Sequence, residues 1–375
     1  MTDSNIISHT SAGCFDVFRE QSGPPAELFP GSLAVLRHAD VVRILEDHKS
    51  YSNVVSQHLS VPNGMDPPEH GPFRKLIEPY FSQARMDAFT PQCRTIAREL
   101  INACLDEKET EVMQDLAAPY VLKVQCAWLG WPESMHDELW QWMEATRQAV
   151  KTKDRSALAE QAEHFTLMVQ AQLDLRREAA ANAPDDITTD LMKEQVNGRP
   201  LSDTEIISIL RNWTAGEVGT LSASVGILMN FCAEHPDIQM QLREFRGHLE
   251  EAIDEILRMH APLLSNRRVT RCPVNHGGET LPPDSKLTLV WEAANRDPAA
   301  FPCPEKFQWG RDPEKNLLWG KGIHVCPGAP LAKLQLKIFL RELLSQVREI
   351  RPGKRKCPAS FPGTGFEELY LQLLH

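Results

Sequence analysis

Apolar residues recur at helical spacing along most of the chain, whereas strand-like alternation is confined to short stretches. The spacing predicts a short helix over residues 38–47 and four helices within residues 84–182, roughly at 86–105, 111–129, 132–152 and 158–181. Further helices are predicted from Ser202 onward, over residues 250–260, and through the mostly apolar run at residues 331–344. Strand-like segments lie within two regions, at about residues 20–37 and 266–292. The pattern therefore indicates a mainly α fold with a small β-rich region.

The helix beginning at Ser202 is predicted to be the longest. Ser202 and Glu205 have the spacing of a capping box, and no proline follows until Pro236. A helix of about 33 residues, about 50 Å long, is therefore expected. An element of that length usually passes through the centre of a large helical protein.

The middle of this helix has an unusual face. At 3.6 residues per turn, small or polar residues share one side: Asn212, Gly216, Gly219, Thr220 and Ala223. Each glycine inside a helix costs about 1 kcal/mol relative to alanine. This loss of helix stability indicates that either a planar group or another helix packs closely against this face. The hydroxyl of Thr220 is expected to bond back to the Gly216 carbonyl.

Residues 51–68 form a long segment without helical character, a length that is usually functional in a compact domain. A proline-rich helix start follows, with His70 and Arg74 on one face. The planar guanidinium of Arg74 suits a carboxylate partner, although such a pair is most often a solvated helix face.

A Gly-rich loop at residues 318–330 presents Cys326 just before the final long helix. Unpaired backbone N–H groups and the positive end of the helix dipole favour a thiolate there. A lone cysteine in such a loop is usually a small buried apolar residue. The complete run, aromatic-Gly-x-Gly-x-His-x-Cys-x-Gly, resembles the haem-ligand loop of the cytochrome P450 family.

This resemblance extends over most of the chain in family order and implies one cytochrome P450 haem domain over residues 1–375. It implies that haem b lies between the long central helix and the helix after the cysteine loop, with Cys326 as the iron ligand. His70, Arg74, Arg268 and His324 are the cofactor-binding residues that it implies, with Arg267 as the alternative to Arg268. The sequence around Gly216 looks most similar to that in the haem domains of bacterial members of the family that are fused to their own reductase.

The central helix departs from the family pattern. Gly216, Glu217 and Thr220 are the catalytic residues that the resemblance implies, with dioxygen near Gly216 and proton delivery near Thr220. Gly219 stands where an acid is usual, so Glu217 is expected to pair with Thr220 across one turn. Glu255 and Arg258 resemble the family's buried structural pair, with Arg296 and Arg311 as candidates for its third partner.

Composition and charge limit the partners and cellular locations that we expect for this protein. The formal net charge of −11 argues against a nucleic-acid or anionic-membrane surface as the main partner. No apolar stretch reaches the length of a membrane span, and no signal peptide is visible. Nine scattered cysteines, odd in number, suit a reducing compartment. We therefore expect a soluble, cytoplasmic protein. Because membrane-bound members of the family carry an N-terminal anchor, the resemblance implies a member of the soluble bacterial type, which we expect to be a monomer.

The function that the resemblance implies is monooxygenation of a small, mainly apolar molecule, by hydroxylation or by O- or N-dealkylation. Candidate substrate-contacting residues are Asn212, Ala215, Leu263, Leu264 and Phe361. Electrons from NAD(P)H would arrive through a separate ferredoxin- or flavodoxin-type protein. Lys333, Lys337 and Arg341 recur every four residues and are the predicted docking stripe, although a solvated face is the simpler account. A haem-thiolate gas sensor and a peroxide-driven haem enzyme are the alternatives.

Overall fold

The computed structural model describes residues 13–19, 28–29 and 31–375. Part of the predicted β-rich region at residues 20–37 lies outside the described residues.

Helices account for most of the described chain. They are α1 (Asp16–Arg19), α2 (His38–Glu46), α3 (His70–Ile77), α4 (Gln83–Leu105), α5 (Ala118–Leu129), α6 (Met135–Thr152), α7 (Arg155–Ala179), α8 (Ile187–Lys193), α9 (Asp203–Glu234), α10 (Pro236–Glu244), α11 (Leu249–His260), α12 (Trp291–Asn295) and α13 (Ala329–Gln346). A π-helical turn, Val112–Ala117, precedes α5. No helix among the described residues is both long enough and apolar enough to cross a membrane.

The strands are short apart from the last two. They are β1 (Leu33–Val35), β2 (Tyr51–Ser52), β3 (Thr110–Glu111), β4 (Gln195–Val196), β5 (Arg199–Pro200), β6 (Ser265–Thr270), β7 (Val274–His276), β8 (Glu279–Leu281), β9 (Lys286–Val290), β10 (Glu349–Pro358) and β11 (Phe366–Leu374). One sheet has the order β1-β9-β6-β2, with β1 parallel to β9 and the other pairs antiparallel. A second sheet has the order β10-β11-β3, and β4-β5 and β7-β8 are separate pairs.

The prediction of a mainly α fold with a small β region is confirmed, and so is the long central helix. The α9 helix has 32 residues and begins with the reciprocal capping box of Ser202 and Glu205. Its apolar side chains, including Leu210, Val225 and Leu228, are fully buried. The sequence interpretation missed the hairpin of β10 and β11, which packs against α9 at the end of the chain.

Glycines permit two close approaches. A Cβ on Gly226 of α9 would lie 2.6 Å from Sδ of Met113, so this glycine serves helix packing. A Cβ on Gly322, which has φ +72°, would lie 2.3 Å from the carbonyl oxygen of Leu45 in α2. The cysteine loop is therefore seated directly on the backbone at the end of α2.

Candidate functional site

A cavity of about 420 Å³ separates the central helix from the cysteine loop. Gly216 and Thr220 of α9 line it, as do His324 and Cys326 of the loop and Arg268 of β6. The cavity therefore brings together residues that lie more than 100 positions apart in the sequence.

Cys326 opens into this cavity two residues before the N-cap of α13. Its backbone N–H donates to the Trp319 carbonyl over 2.8 Å. Burial raises the pKa of the Cys326 thiol, although the backbone N–H groups of Gly328 and Ala329 and the charge of Arg74 oppose this effect. The backbone N–H groups at the helix terminus therefore favour a thiolate, as expected, but desolvation is the larger effect. A cationic metal centre would supply the missing stabilisation.

One side of the cavity has the chemistry of an anion site. The Arg268 guanidinium is 4% exposed, and its Nη1 donates to the Arg267 carbonyl over 2.7 Å. Burial lowers the pKa of Arg268 to about 10, a shift that nearby Asp66 opposes. Arg267 is exposed, so the choice of Arg268 over Arg267 agrees with the structure.

His324 belongs to the same side. Its Nε2 is buried and has no hydrogen-bond partner among the described residues. Burial lowers the pKa of His324 to about 3, and the positive charges of His70 and Arg268 add to this shift. A buried guanidinium and an orphaned imidazole nitrogen fit the carboxylates of a haem, which would satisfy both groups.

His70 and Arg74 do not line the cavity and contact it indirectly. The His70 ring meets the His324 ring edge-on at a centroid distance of 4.5 Å. Arg74 donates to the Val325 carbonyl over 2.6 Å and to Glu78 over 2.9 Å. The structure therefore places this pair as a support for the cysteine loop.

Thr220 and Gly216 form the cavity wall on α9, as the sequence predicts. Oγ1 of Thr220 donates to the Gly216 carbonyl over 2.7 Å, which is the predicted back-bond. A Cβ on Gly216 would meet no atom within 4 Å, so this glycine opens onto free space. Gly219 and Ala223 do not line the cavity, and Ala223 instead packs against Gly365.

The predicted pairing of Glu217 with Thr220 is wrong. The Glu217 carboxylate accepts a hydrogen bond from Nε2 of Gln335 on α13. The Gln125 amide of α5, oriented to donate, lies 2.8 Å from Oε2 and accepts from Thr214. Burial raises the pKa of Glu217 to about 7, against the opposing hydrogen bond from Gln335. Gln125 and Gln335 were missed because a glutamine within a helix is ordinary and does not indicate a carboxylate partner on another helix.

Three of the five predicted substrate-contacting residues line the cavity: Asn212, Ala215 and Leu263. The other two do not. Leu264, just before β6, is buried in an apolar cluster with Leu36 and Val290, whereas the adjacent Leu263 lines the cavity. Phe361 packs on Phe29 in the same cluster, at a ring-centroid distance of 5.8 Å.

The loop over residues 51–68 is fastened to α9 by two polar side chains one turn apart. Asn212 donates to the Val61 carbonyl over 2.8 Å and accepts from Ser60 over 3.1 Å. Ser208 accepts from the Val61 N–H over 2.9 Å and donates to the Leu59 carbonyl over 3.0 Å. We call these four bonds the loop clasp. Asn212 is therefore committed to the loop through both ends of its amide.

Glu255 and Arg258 form the predicted buried pair, and Arg311 is the third partner. Nε of Arg258 and Nε of Arg311 each lie 2.7 Å from the Glu255 carboxylate. Arg296, the other candidate, pairs with Asp16 and Glu292.

The predicted docking stripe is largely neutralised within the molecule. Lys333 forms a 2.9 Å ion pair with Asp254, and Lys337 forms a 3.0 Å pair with Glu250. Arg341 is exposed and has no carboxylate within 4 Å among the described residues.

Comparisons with known proteins agree with this geometry. The family model described as Cytochrome P450 matches residues 248–366. The chain is 32% identical to 6-deoxyerythronolide B hydroxylase of Saccharopolyspora erythraea over 77% of this chain and 70% of that protein. It is 28% identical to probable cytochrome P450 127A1 of Sinorhizobium fredii over 96% of this chain and 87% of that protein.

The fold matches as well. The crystal structure of CYP109B1 from Bacillus subtilis superposes with a TM-score of 0.86, at 22% identity, over 98% of this chain and all of that one. From the agreement of sequence, fold and cavity, the chain belongs to the cytochrome P450 family and is a monooxygenase of that family.

Proposed function

We propose that this protein is a single haem-thiolate monooxygenase domain that inserts one oxygen atom of O₂ into a small, mainly apolar molecule. Hydroxylation and O- or N-dealkylation are the proposed reactions. The observation that supports this most is the opening of the Cys326 thiol into the same cavity as Gly216 and Thr220.

Haem b is the proposed cofactor. Cys326 would hold its iron, and Arg268 and His324 would bind its carboxylates, with His70 and Arg74 supporting His324 and Val325. Haem supplies the oxidising chemistry, in which a thiolate ligand favours cleavage of the O–O bond.

The protein's own contribution is orientation and proton supply. Ala215, Gly216 and Leu263 present small or apolar surface to the cavity, which suits an apolar substrate. Glu217, with a pKa of about 7, holds a proton beside the cavity near physiological pH. Thr220 presents a hydroxyl on the same wall.

Electrons are proposed to come from NAD(P)H through a separate ferredoxin- or flavodoxin-type protein. Exposed Arg341, in the C-terminal part of α13, supports docking of the donor on this helix. Lys333 and Lys337 already have carboxylate partners within the molecule. Charge reversal of Arg341 should slow reduction by an acidic donor and flatten its salt dependence. A cytoplasmic location remains a prediction.

The test is the Cys326→Ser variant. Reduced wild-type protein treated with carbon monoxide should show the red-shifted absorption band of a thiolate ligand, and the variant should lose both the band and turnover. A wild-type protein without that band would overturn the proposed function.

A peroxide-driven haem enzyme is the second candidate. It is favoured because the Glu217 carboxylate is held by glutamines from other helices, whereas the Thr220 hydroxyl donates to the backbone carbonyls of Gly216 and Glu217. Assays with a ferredoxin system, and separately with peroxide alone, distinguish the two by which one yields oxygenated product.

A further inference from the structure

Asp254 of α11 binds three parts of the structure behind the cysteine loop. Its Oδ2 accepts a hydrogen bond from Nζ of Lys333 over 2.9 Å, and its Oδ1 accepts one from the Trp319 indole over 3.3 Å. Its backbone carbonyl accepts from the side chain of Asn316 over 3.0 Å. Asn316 and Trp319, in the segment that leads into the loop, are therefore both held by this one residue of α11.

Trp319 connects this anchor to the sulfur-bearing residue. Its indole lines the cavity, and its carbonyl accepts the backbone N–H of Cys326 over 2.8 Å. Nζ of Lys333 lies 5.8 Å from the centre of the indole ring, within cation–π range. Two hydrogen bonds thus join the Asp254 carboxylate to the backbone of Cys326.

The Asp254–Lys333 pair places one negative and one positive charge beside the loop. Their side chains are 22% and 30% exposed, so solvent screens them only in part. While both charges are present, their effects on a nearby metal centre largely cancel. Loss of either partner leaves the other uncompensated.

We infer that Asp254 and Lys333 form a charge-balanced positioning pair that fixes Trp319 behind Cys326, and that loss of either charge shifts the reduction potential of the metal centre. This inference rests on the proposed function, because it requires iron bound to Cys326. Groups that contact a metal ligand tune a metal site through orientation and charge. Reduction adds an electron, so a nearby positive charge stabilises the reduced state and a nearby negative charge opposes it.

The test measures reduction potential by spectroelectrochemical titration with small mediators and no protein donor. Lys333→Gln should lower the potential, because the Asp254 carboxylate is then uncompensated. Asp254→Asn should raise it, because the Lys333 ammonium is then uncompensated. The double variant should lie near the wild type, and both single shifts should shrink as salt increases.

The neighbouring pair of Lys337 and Glu250 is the matched control. It joins the same two helices over 3.0 Å, but among the described residues neither Lys337 nor Glu250 forms a hydrogen bond or cation–π contact with Trp319. Lys337→Gln and Glu250→Gln should therefore shift the potential much less than the corresponding changes at Lys333 and Asp254.

A purely structural role would lower thermal stability without producing shifts of opposite sign. Shifts of the same sign in the two single variants, or equal shifts in the control pair, would overturn the inference. If Asp254→Asn did not retain haem, the sign of the shift in Lys333→Gln would still decide. A wild-type protein without the red-shifted carbon-monoxide band would instead refute the proposed function.

Discussion

Nε2 of Gln335 donates a hydrogen bond to the Glu217 carboxylate and so joins the final long helix to the central one. With Gln125 on the other side, Glu217 is held in a buried amide cage next to the cavity. None of the described residues that contact the Glu217 carboxylate is a cation. Burial therefore raises the pKa of Glu217 and keeps its carboxyl protonated to higher pH.

Glu217→Gln should therefore change how stability depends on pH. Burial raises the pKa of Glu217 from 4.5 to about 7, so the folded state is more stable when this carboxyl is protonated. The stabilisation by protonation is fully present below pH 4.5. It is lost as pH rises to about 7, by at most about 3 kcal/mol. Thermal unfolding of both proteins from pH 4 to 8 should show the variant becoming more stable relative to the wild type as pH rises. Parallel curves would contradict the prediction.

Thr220→Ala should uncouple electron consumption from product formation. The hydroxyl is the alcohol that the α9 wall presents beside Gly216, and its loss removes a hydrogen-bonding group from the site of proposed proton delivery. NAD(P)H should still be consumed, with a larger share ending as hydrogen peroxide. Thr220→Ser, which keeps the hydroxyl, should restore coupling. Unchanged coupling in the alanine variant would remove Thr220 from the mechanism.

Gly216→Ala and Gly219→Ala form a matched pair on one helix. A Cβ at either position meets no protein atom within 4 Å, but Gly216 alone of the two lines the cavity. Each change should stabilise the haem-free protein by up to about 1 kcal/mol through helix propensity. Gly216→Ala alone should reduce haem or ligand binding, measured by absorption titration. Equal binding by both variants would show that Gly216 does not face the bound group.

Arg311→Ala should be destabilising. It removes one of the two guanidinium partners of the buried Glu255 carboxylate; complete loss of compensation would cost about 3–5 kcal/mol, and the remaining pair with Arg258 makes the expected loss smaller than that. Denaturant unfolding would measure the loss. Arg351→Ala is the control, since its pair with Glu349 lies on the surface and should contribute little. Similar stabilities for the two variants would refute the structural role of Arg311.

Asn212→Ala should loosen the loop clasp. The variant loses two hydrogen bonds to Ser60 and Val61, and one net hydrogen bond of about 1 kcal/mol corresponds to about fivefold in an equilibrium. Limited proteolysis near exposed Val54 and Val55 should accelerate accordingly. Asn230→Ala, on the same helix but bonded to Glu234, should leave cleavage unchanged. Equal cleavage rates in the wild type and Asn212→Ala would refute the clasp.

Local patterns were sufficient for the long helices and for the cysteine loop, but not for the hairpin of β10 and β11. The capping box at Ser202 and the distance to Pro236 predicted the central helix to within about one residue of its observed 32. The approach failed where a side chain is held by a distant segment. Helical periodicity puts Glu217 and Thr220 within one turn of each other. It does not reveal that glutamines on α5 and α13 form hydrogen bonds with the Glu217 carboxyl instead.

Leu264 and Phe361 show the same limit at another place. Both are apolar and adjacent in sequence to turns, which suits a cavity wall as well as a core. Their burial depends on contacts with distant segments, such as Val290 for Leu264 and Phe29 for Phe361, which local sequence patterns do not reveal. The anchor at Asp254 was invisible for a similar reason, since one aspartate on an amphipathic helix is ordinary.

The contact between Gly322 and the Leu45 carbonyl bears on how the molecule is assembled. Because Leu45 lies far before Gly322 in the sequence, α2 is made before the loop that rests on it. The wall that presents the sulfur is thus complete only once the loop has been made and has docked on α2. Cofactor capture therefore depends on the docking of two segments that are distant in the sequence.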